Sequence, residues 1–329
     1  MLSLAEAVEA EVRRRGQPVI TWFKIEQLVR RLYRERQLDG QPLSVRGPAP
    51  SPRTLAALKA RLVDPRGLTG KTSTSIHPED LRRVLEEDAA TRQPYLLAED
   101  PDFLSSVCRV TGIPDGTPEE LCCLVDPWCY VSHLSAMQQW SLTDRNPAAL
   151  HLTRPDKALW RQRAKAEIRD ERGDGGPEPG QPAPRPRERI AFPLALRGRA
   201  LSVFEPGFFG HSVAVPDSPV RVATVGQTFR DMLHEPALCG GMGHVIEVWE
   251  EHAATYVEEI IEAMDDPALK ATKIAFVRAG HILAERLGLQ DPRIDAWAAF
   301  AERGGSRKLD PERPFHPSYS ERWMLSLNV

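Results

Sequence analysis

The segment nearest to a reactive loop in this chain is Gly67-Leu-Thr-Gly70-Lys71-Thr72, whose glycines, lysine and hydroxyl are the groups that cradle phosphates. A nucleotide-binding loop needs a further glycine five residues before Gly70, and Pro65 stands there. It must also follow a strand, and here it follows a helical pattern. Gly210-His211-Ser212-Val213-Ala214 resembles the turn that exposes a nucleophilic serine, but Ala214 replaces the second glycine. Cys122, Cys123, Cys129 and His133 are the densest soft donors. They contain no C-x-x-C pair and have no second cluster, so buried thiols and no metal are expected.

The remaining titratable groups do not converge either. His211, His234, His244 and His252 are scattered. Glu250-Glu251, Glu258-Glu259 and Asp265-Asp266 are neighbours in sequence and so point to different sides of a helix. No glycine-rich dinucleotide fingerprint occurs. The expectation is a protein with no catalytic residue and no cofactor, not an enzyme.

What remains is a set of cations and hydroxyls suited to phosphate oxygens: Arg53, Thr54, Lys59, Arg61, Lys71 and Thr72. The first four lie on a segment opened by Ser51-Pro52, a cap followed by proline at the first helical position. Leu55, Leu58 and Leu62 supply its apolar face, so the polar residues point elsewhere. A helix in the major groove needs about 11 residues at roughly 1.5 Å each. Both 52–63 and 78–89 meet that length, and the first carries the cleaner basic and hydroxyl set. Arg53 and Thr54 are the candidates for base edges.

The elements around it fit this task. Residues 3–14 place Leu4, Val8 and Val12 on one stripe, and 23–37 bury Ile25, Leu28, Val29 and Leu32 behind a Thr21 cap. Short amphipathic helices followed by β-prone stretches at 95–97 and 103–110 predict a winged helix-turn-helix. Charge is divided accordingly. Residues 1–92 hold 17 Lys and Arg against 12 Asp and Glu, a balance of +5 that leaves −8 for residues 93–329 within the net −3. Arg13, Arg14 and Arg15 are expected to complement a helix dipole, and Arg30, Arg31, Arg34 and Arg36 to form a solvated face.

Beyond residue 115 the pattern is largely helical. Helices are expected at 118–123, behind a Ser132 cap through Leu134 to Trp140, at 154–170 and at 228–234. Further helices are expected around Val245 and Val257, a longest one opens at Pro267 and ends at Gly288, and a short one holds Ile294, Trp297 and Phe300. Residues 128–131 and 319–329 read as strands. Residues 173–186 are Gly, Pro, Glu and Arg with almost nothing to bury, a linker composition. The apolar fraction of 41% supports folded domains, and no run reaches the roughly 18–20 apolar residues of a membrane span. A cytoplasmic location is expected, since no signal-peptide core develops around Glu6, Glu9 and Glu11.

Three segments, in order, resemble a known family. Tyr130-Val-Ser-His-Leu-Ser-Ala-Met-Gln-Gln-Trp-Ser-Leu-Thr-Asp144 is similar to the segment where AbiEi-type (type IV toxin–antitoxin) antitoxins join a winged helix to a C-terminal domain. Thr228-Phe-Arg-Asp231-Met-Leu followed by Pro236 and Cys-Gly240-Gly241 resembles that family's characteristic helix and Gly-Gly turn, with Gln227 where an arginine is expected. Tyr319-Ser-Glu-Arg-Trp323-Met-Leu-Ser-Leu-Asn328 resembles its closing strand. Ser132, Leu134, Thr228, Asp231, Gly240, Gly241 and Trp323 are the motif positions.

The resemblance implies a mainly α (α+β) fold. It has a winged-helix-like domain at 1–115, a junction at 116–172, a flexible loop at 173–188 and a helical antitoxin-like domain with a few short strands at 189–329. It implies an antitoxin and transcriptional autorepressor that binds inverted repeats of double-stranded DNA in its own promoter. It would counter a nucleotidyltransferase-like toxin in a phage-defence operon, functionally and without a necessary physical complex, and have no membrane partner. The alternative is a protein-interaction module with a degenerate winged helix that binds no DNA.

Overall fold

A computed structural model describes residues 1–63, 76–77, 107–110, 113–172, 187–269, 271–302 and 307–329. The fold is mixed α+β, and the chain divides into two compact units, 1–128 with 157–201 and 129–156 with 202–329. The expected segments at 64–75, 78–106 and 173–186, with the second candidate helix at 78–89, lie outside the described residues. No helix among those described is long and apolar enough to cross a membrane.

The first unit begins with α1 (Leu4–Arg15), closed by a capping box between Ser3 and Glu6 and ended by Gly16 at φ 62°. Strand β1 (Val19–Thr21) leads into α2 (Trp22–Glu35), with the Thr21 hydroxyl accepting from Lys24 N. A small hairpin of β2 (Gln37–Leu38) and β3 (Gln41–Pro42) follows, then α3 (Pro52–Val63). Strands β4 (Ile76–His77) and β5 (Val107–Val110) complete an antiparallel sheet of order β1-β5-β4, in register Ile20 to Cys108 and Ile76 to Val110. Val8, Val12, Ile25, Leu28, Val29, Leu32, Leu58 and Leu62 are buried together, each contributing about 1.5–3 kcal/mol by leaving water. This unit also holds α4 (Pro118–Val125), α6 (Lys157–Arg172) and the hairpin of β8 (Ala195–Leu196) with the first half of β9 (Arg199–Phe204).

In the second unit β6 (Tyr130–Val131) pairs antiparallel with β7 (Ala149–Thr153) and parallel with β11 (Arg221–Ala223), which pairs antiparallel with β10 (Ser212–Ala214). Helix α5 (His133–Gln139) follows β6, and α7 (Val225–His234) follows β11 behind a Thr224 cap. A 3-10 turn over Pro236–Cys239 leads to Gly240 and Gly241, at φ 89° and 88°, and then α8 (Met242–His252). This reversal needs a left-handed backbone twice, which is why two glycines stand there. Helix α9 (Val257–Asp265) lies so close to α7 that a Cβ on Gly226 would sit 2.0 Å from the Glu259 carbonyl oxygen. Phe229, Met232, Trp249, Ile260, Phe276 and Ile282 lie in this unit's core.

Two expectations are corrected here, and a third, the short helix holding Ile294, Trp297 and Phe300, is met. Pro267 opens only a 3-10 turn, Pro267–Leu269; Thr272 caps a new helix, α10 (Lys273–Gly280), which widens to a π-helix over His281–Arg286. The Thr272 hydroxyl offers a competing start that proline spacing alone does not reveal. The longest described helix is α6, at 16 residues. Residues 319–329 are no continuous strand but a hairpin of β12 (Tyr319–Ser320) and β13 (Leu325–Ser326), because Met324 turns the chain at φ 49°. The short helix expected at 294–300 is α11 (Pro292–Ala296) continued by a 3-10 turn.

Candidate functional site

In the first unit, α3 starts as its residue types demand, with Ser51 Oγ accepting from Thr54 N at 3.1 Å. Leu58 and Leu62 turn inward and Leu55 is half-buried, which leaves Arg53 and Lys59 exposed. Thr54 is half-buried and its hydroxyl is 2.8 Å from that of Ser51, so it is held by the cap. Lys59 Nζ stands 5.1 Å above the Trp22 ring, a cation–π contact that restrains it. The Arg61 side chain, Lys71 and Thr72 lie outside the described residues.

The described arginines from α1 to the start of α3 separate into two groups. Glu11 is buried and accepts from Arg14 Nε at 2.9 Å and Arg31 Nη2 at 2.8 Å, with Arg15 3.8 Å away, while Arg13 pairs with Glu9. Burial pushes the Glu11 carboxyl up, but the Arg14 and Arg31 hydrogen bonds outweigh it and hold it below the usual range. These arginines are spent on the fold. Arg34, Arg46 and Arg53 are exposed and make no ion pair among the described residues.

Three motif positions of the second unit, Ser132, Thr228 and Asp231, are buried polar groups with hydrogen-bond partners. Ser132 occupies the cap position of α5, yet its hydroxyl does not cap. It lies 2.8 Å from His133 Nδ1 and accepts from Thr153 Oγ1 at 2.8 Å, tying β6 to β7, which corrects its expected capping role. Burial lowers the His133 pKa to about 3, so its ring is neutral. Gln227, Thr228, Arg230 and Asp231 are all buried on α7. Gln227 Nε2 donates to Asp231 Oδ1 at 2.6 Å, and Thr228 Oγ1 donates back to Thr224 O at 2.9 Å. Gln227 therefore supplies Asp231 with a buried hydrogen-bond donor. Burial raises the Asp231 pKa to about 7 against the opposing Arg230 charge and Gln227 hydrogen bond. It raises the Tyr130 hydroxyl as well, with Asp231 adding to the effect.

Arg230 donates from Nη2 to the Leu269 carbonyl and lies 4.7 Å over the Phe208 ring; its Nε and Nη1, like Asp231 Oδ2, have no hydrogen-bond partner among the described residues. Burial lowers its pKa, opposed by Asp231, Tyr130 and Asp266. Arg278 is a second buried guanidinium, donating to Leu233 O at 2.8 Å and Lys308 O at 3.1 Å, and burial lowers it to about 10. The residues missed in the sequence are Tyr130, Arg230 and Arg278. For Arg278 the available signal was an arginine among the apolar residues Ile274, Ala275, Phe276, Val277 and Ala279, since such a group must find acceptors inside.

Among the expected positions the structure gathers Thr228 and Asp231 on one helix and Gly240 with Gly241 in one turn. Leu134 is half-buried against the core. Trp323 is fully buried against Gly280, where a Cβ would meet its ring at 2.1 Å. Ser212 lies on strand β10, paired with Ala223, and not on a strand-to-helix turn. His211 Nε2 is 3.1 Å from Asp266 Oδ2, and His244 Nε2 is 2.9 Å from Thr143 Oγ1. Cys122, Cys123, Cys129 and Cys239 are buried, and no cluster of metal-ligating side chains occurs among the described residues. No family model matches the chain, and no curated protein matches it.

Proposed function

We propose that this chain is an antitoxin-type, DNA-binding autorepressor whose first unit is a winged helix-turn-helix. The observation that carries the reading is that the first unit sets three helices, α1, α2 and α3, beside a small antiparallel sheet of order β1-β5-β4, its described elements running α1-β1-α2-β2-β3-α3-β4-β5. In that arrangement α3 is the recognition helix. Its 12 residues span about 18 Å, enough for the major groove, and it presents Arg53 and Lys59 outward. Site and partner follow in chemical terms: the cations take phosphates and Arg53 reads a base edge. The second unit, through the family resemblance of residues 130–329, supplies the antitoxin activity against a nucleotidyltransferase-like toxin in the cytoplasm.

The test is fluorescence anisotropy of the full chain on duplex DNA from directly upstream of its own gene, across a salt series. If about five phosphates are neutralised, log K falls with log salt at a slope near −4.5, and the upstream duplex binds more tightly than a random one. A flat response and equal affinities would exclude the repressor. A stable co-purifying partner without any DNA shift would establish the interaction-module alternative. Rescue of growth on co-expression with the neighbouring toxin tests the second unit separately.

A further inference from the structure

The segment between α2 and α3 carries an exposed arginine, Arg46, on a backbone held by another, Arg36. Arg36 ends α2 in the left-handed region at φ 57°, and its guanidinium donates to Val45 O at 3.1 Å and Gly47 O at 2.6 Å. Those carbonyls flank Arg46 on either side. The same segment is fastened again by Leu43 N donating to Arg36 O at 2.9 Å and Ser44 N to Leu2 O at 2.9 Å, with Leu43 buried in the core. The backbone that carries Arg46 is thus tied down at four points, yet its side chain is exposed and has no ion pair among the described residues. Arg34, in the last turn of α2, and Arg53, in the first turn of α3, are open in the same way.

The contrast with α1 is informative. Glu9 and Glu11 neutralise Arg13, Arg14, Arg15 and Arg31 from within the fold, so carboxylates are at hand where a cation serves stability. None is supplied to Arg46 among the described residues. A cation on a fastened turn loses less backbone freedom on binding an anion than one on a loose loop. A guanidinium also matches phosphate oxygens in two-pronged geometry.

We propose that Arg46 is a DNA-phosphate contact just ahead of α3, and that Arg36 is its positioning residue, acting through the Val45 and Gly47 carbonyls. This rests on the DNA-binding reading above and extends it from α3 to the preceding turn.

The experiment repeats the anisotropy salt series with the full chain, on the upstream duplex and on a random duplex of equal length. Arg46→Ala is expected to weaken binding to both duplexes by the same factor and to reduce the slope by about 0.9, the signature of one lost phosphate contact. Arg36→Ala is expected to remove part of the same slope, and to remove none of it when Arg46 is already alanine. A purely structural role for Arg36 would lower the melting temperature and leave that interaction absent. Should Arg36→Ala fail to fold, Arg46→Ala alone decides, because its side chain is exposed. A wild-type chain with no salt-dependent binding would overturn the DNA reading itself. A steep wild-type slope unchanged by Arg46→Ala would overturn this inference and leave that reading intact.

Discussion

The first unit keeps most of the arginines of α1 and α2 at its surface, where carboxylates or water meet them; the second encloses Arg154, Arg230 and Arg278 almost completely. Even a buried arginine of the first unit follows its rule: Arg187 is met by both oxygens of Glu167 and lies 4.2 Å over Phe23. Arg230 and Arg278 instead end on main-chain carbonyls of Leu269, Leu233 and Lys308. The difference teaches what each charge is for. A surface cation is available to an outside anion, whereas a buried guanidinium on carbonyls pins loops to a helix and is costly to leave unmet.

The sharpest way to break the comparison is Arg230→Met, which keeps the apolar stem and removes the guanidinium. Orphaning the Leu269 carbonyl and losing the contact with Phe208 is expected to cost about 3 kcal/mol in chemical denaturation. A cost below about 1 kcal/mol would mean that the buried arginine pins nothing.

Next in size is the pH dependence of Asp231. Its folded pKa, about 7, lies above its ordinary 3.8, so its contribution to stability is complete below pH 3.8 and is lost as pH rises through 7. Asp231→Asn keeps the acceptor for Gln227 and removes the titration. The stability of the variant relative to wild type should therefore climb between about pH 4 and pH 7 and level off above. His133 and His234, lowered by burial to about 3 and about 4, act in the opposite sense, favouring the fold above their ordinary 6.5 and withdrawing as pH falls. Both proteins carry them, so they cancel in the difference. A pH-independent difference would show that Asp231 is ionised throughout.

The smallest effect on stability belongs to the first unit. Arg53→Ala is expected to shift unfolding by no more than about 0.5 kcal/mol while weakening selective DNA binding. Loss of stability without loss of binding would reverse the comparison between the units.

Much of the first unit was legible from the chain. Thr21 and Ser51 mark two helix starts, and apolar residues three and four apart mark the faces that Leu58, Leu62, Ile25 and Leu28 bury. The second unit was legible in its helices and much less in its strands. Strands of two to five residues carry too few alternations to register, and Val131 finds Val222 only through a parallel pairing across distant sequence. The polar network was half visible: Thr228 and Asp231 stood out as motif positions, but Tyr130 and Arg278 looked like ordinary helix and strand residues.

Local grammar, the caps, spacings and glycines that act within one or two turns, was determined by the sequence itself: where α1, α2 and α3 begin, why Gly240 and Gly241 stand together, and which α3 cations face away from its leucines. Only the tertiary structure decided that Ser132 binds Thr153 and His133 rather than its own helix, that 319–329 folds back on itself, and that Arg36 holds the turn beneath Arg46. Each of these depends on acceptors brought near by packing, and a hydrogen bond is formed with whichever partner the fold delivers at the right distance and angle.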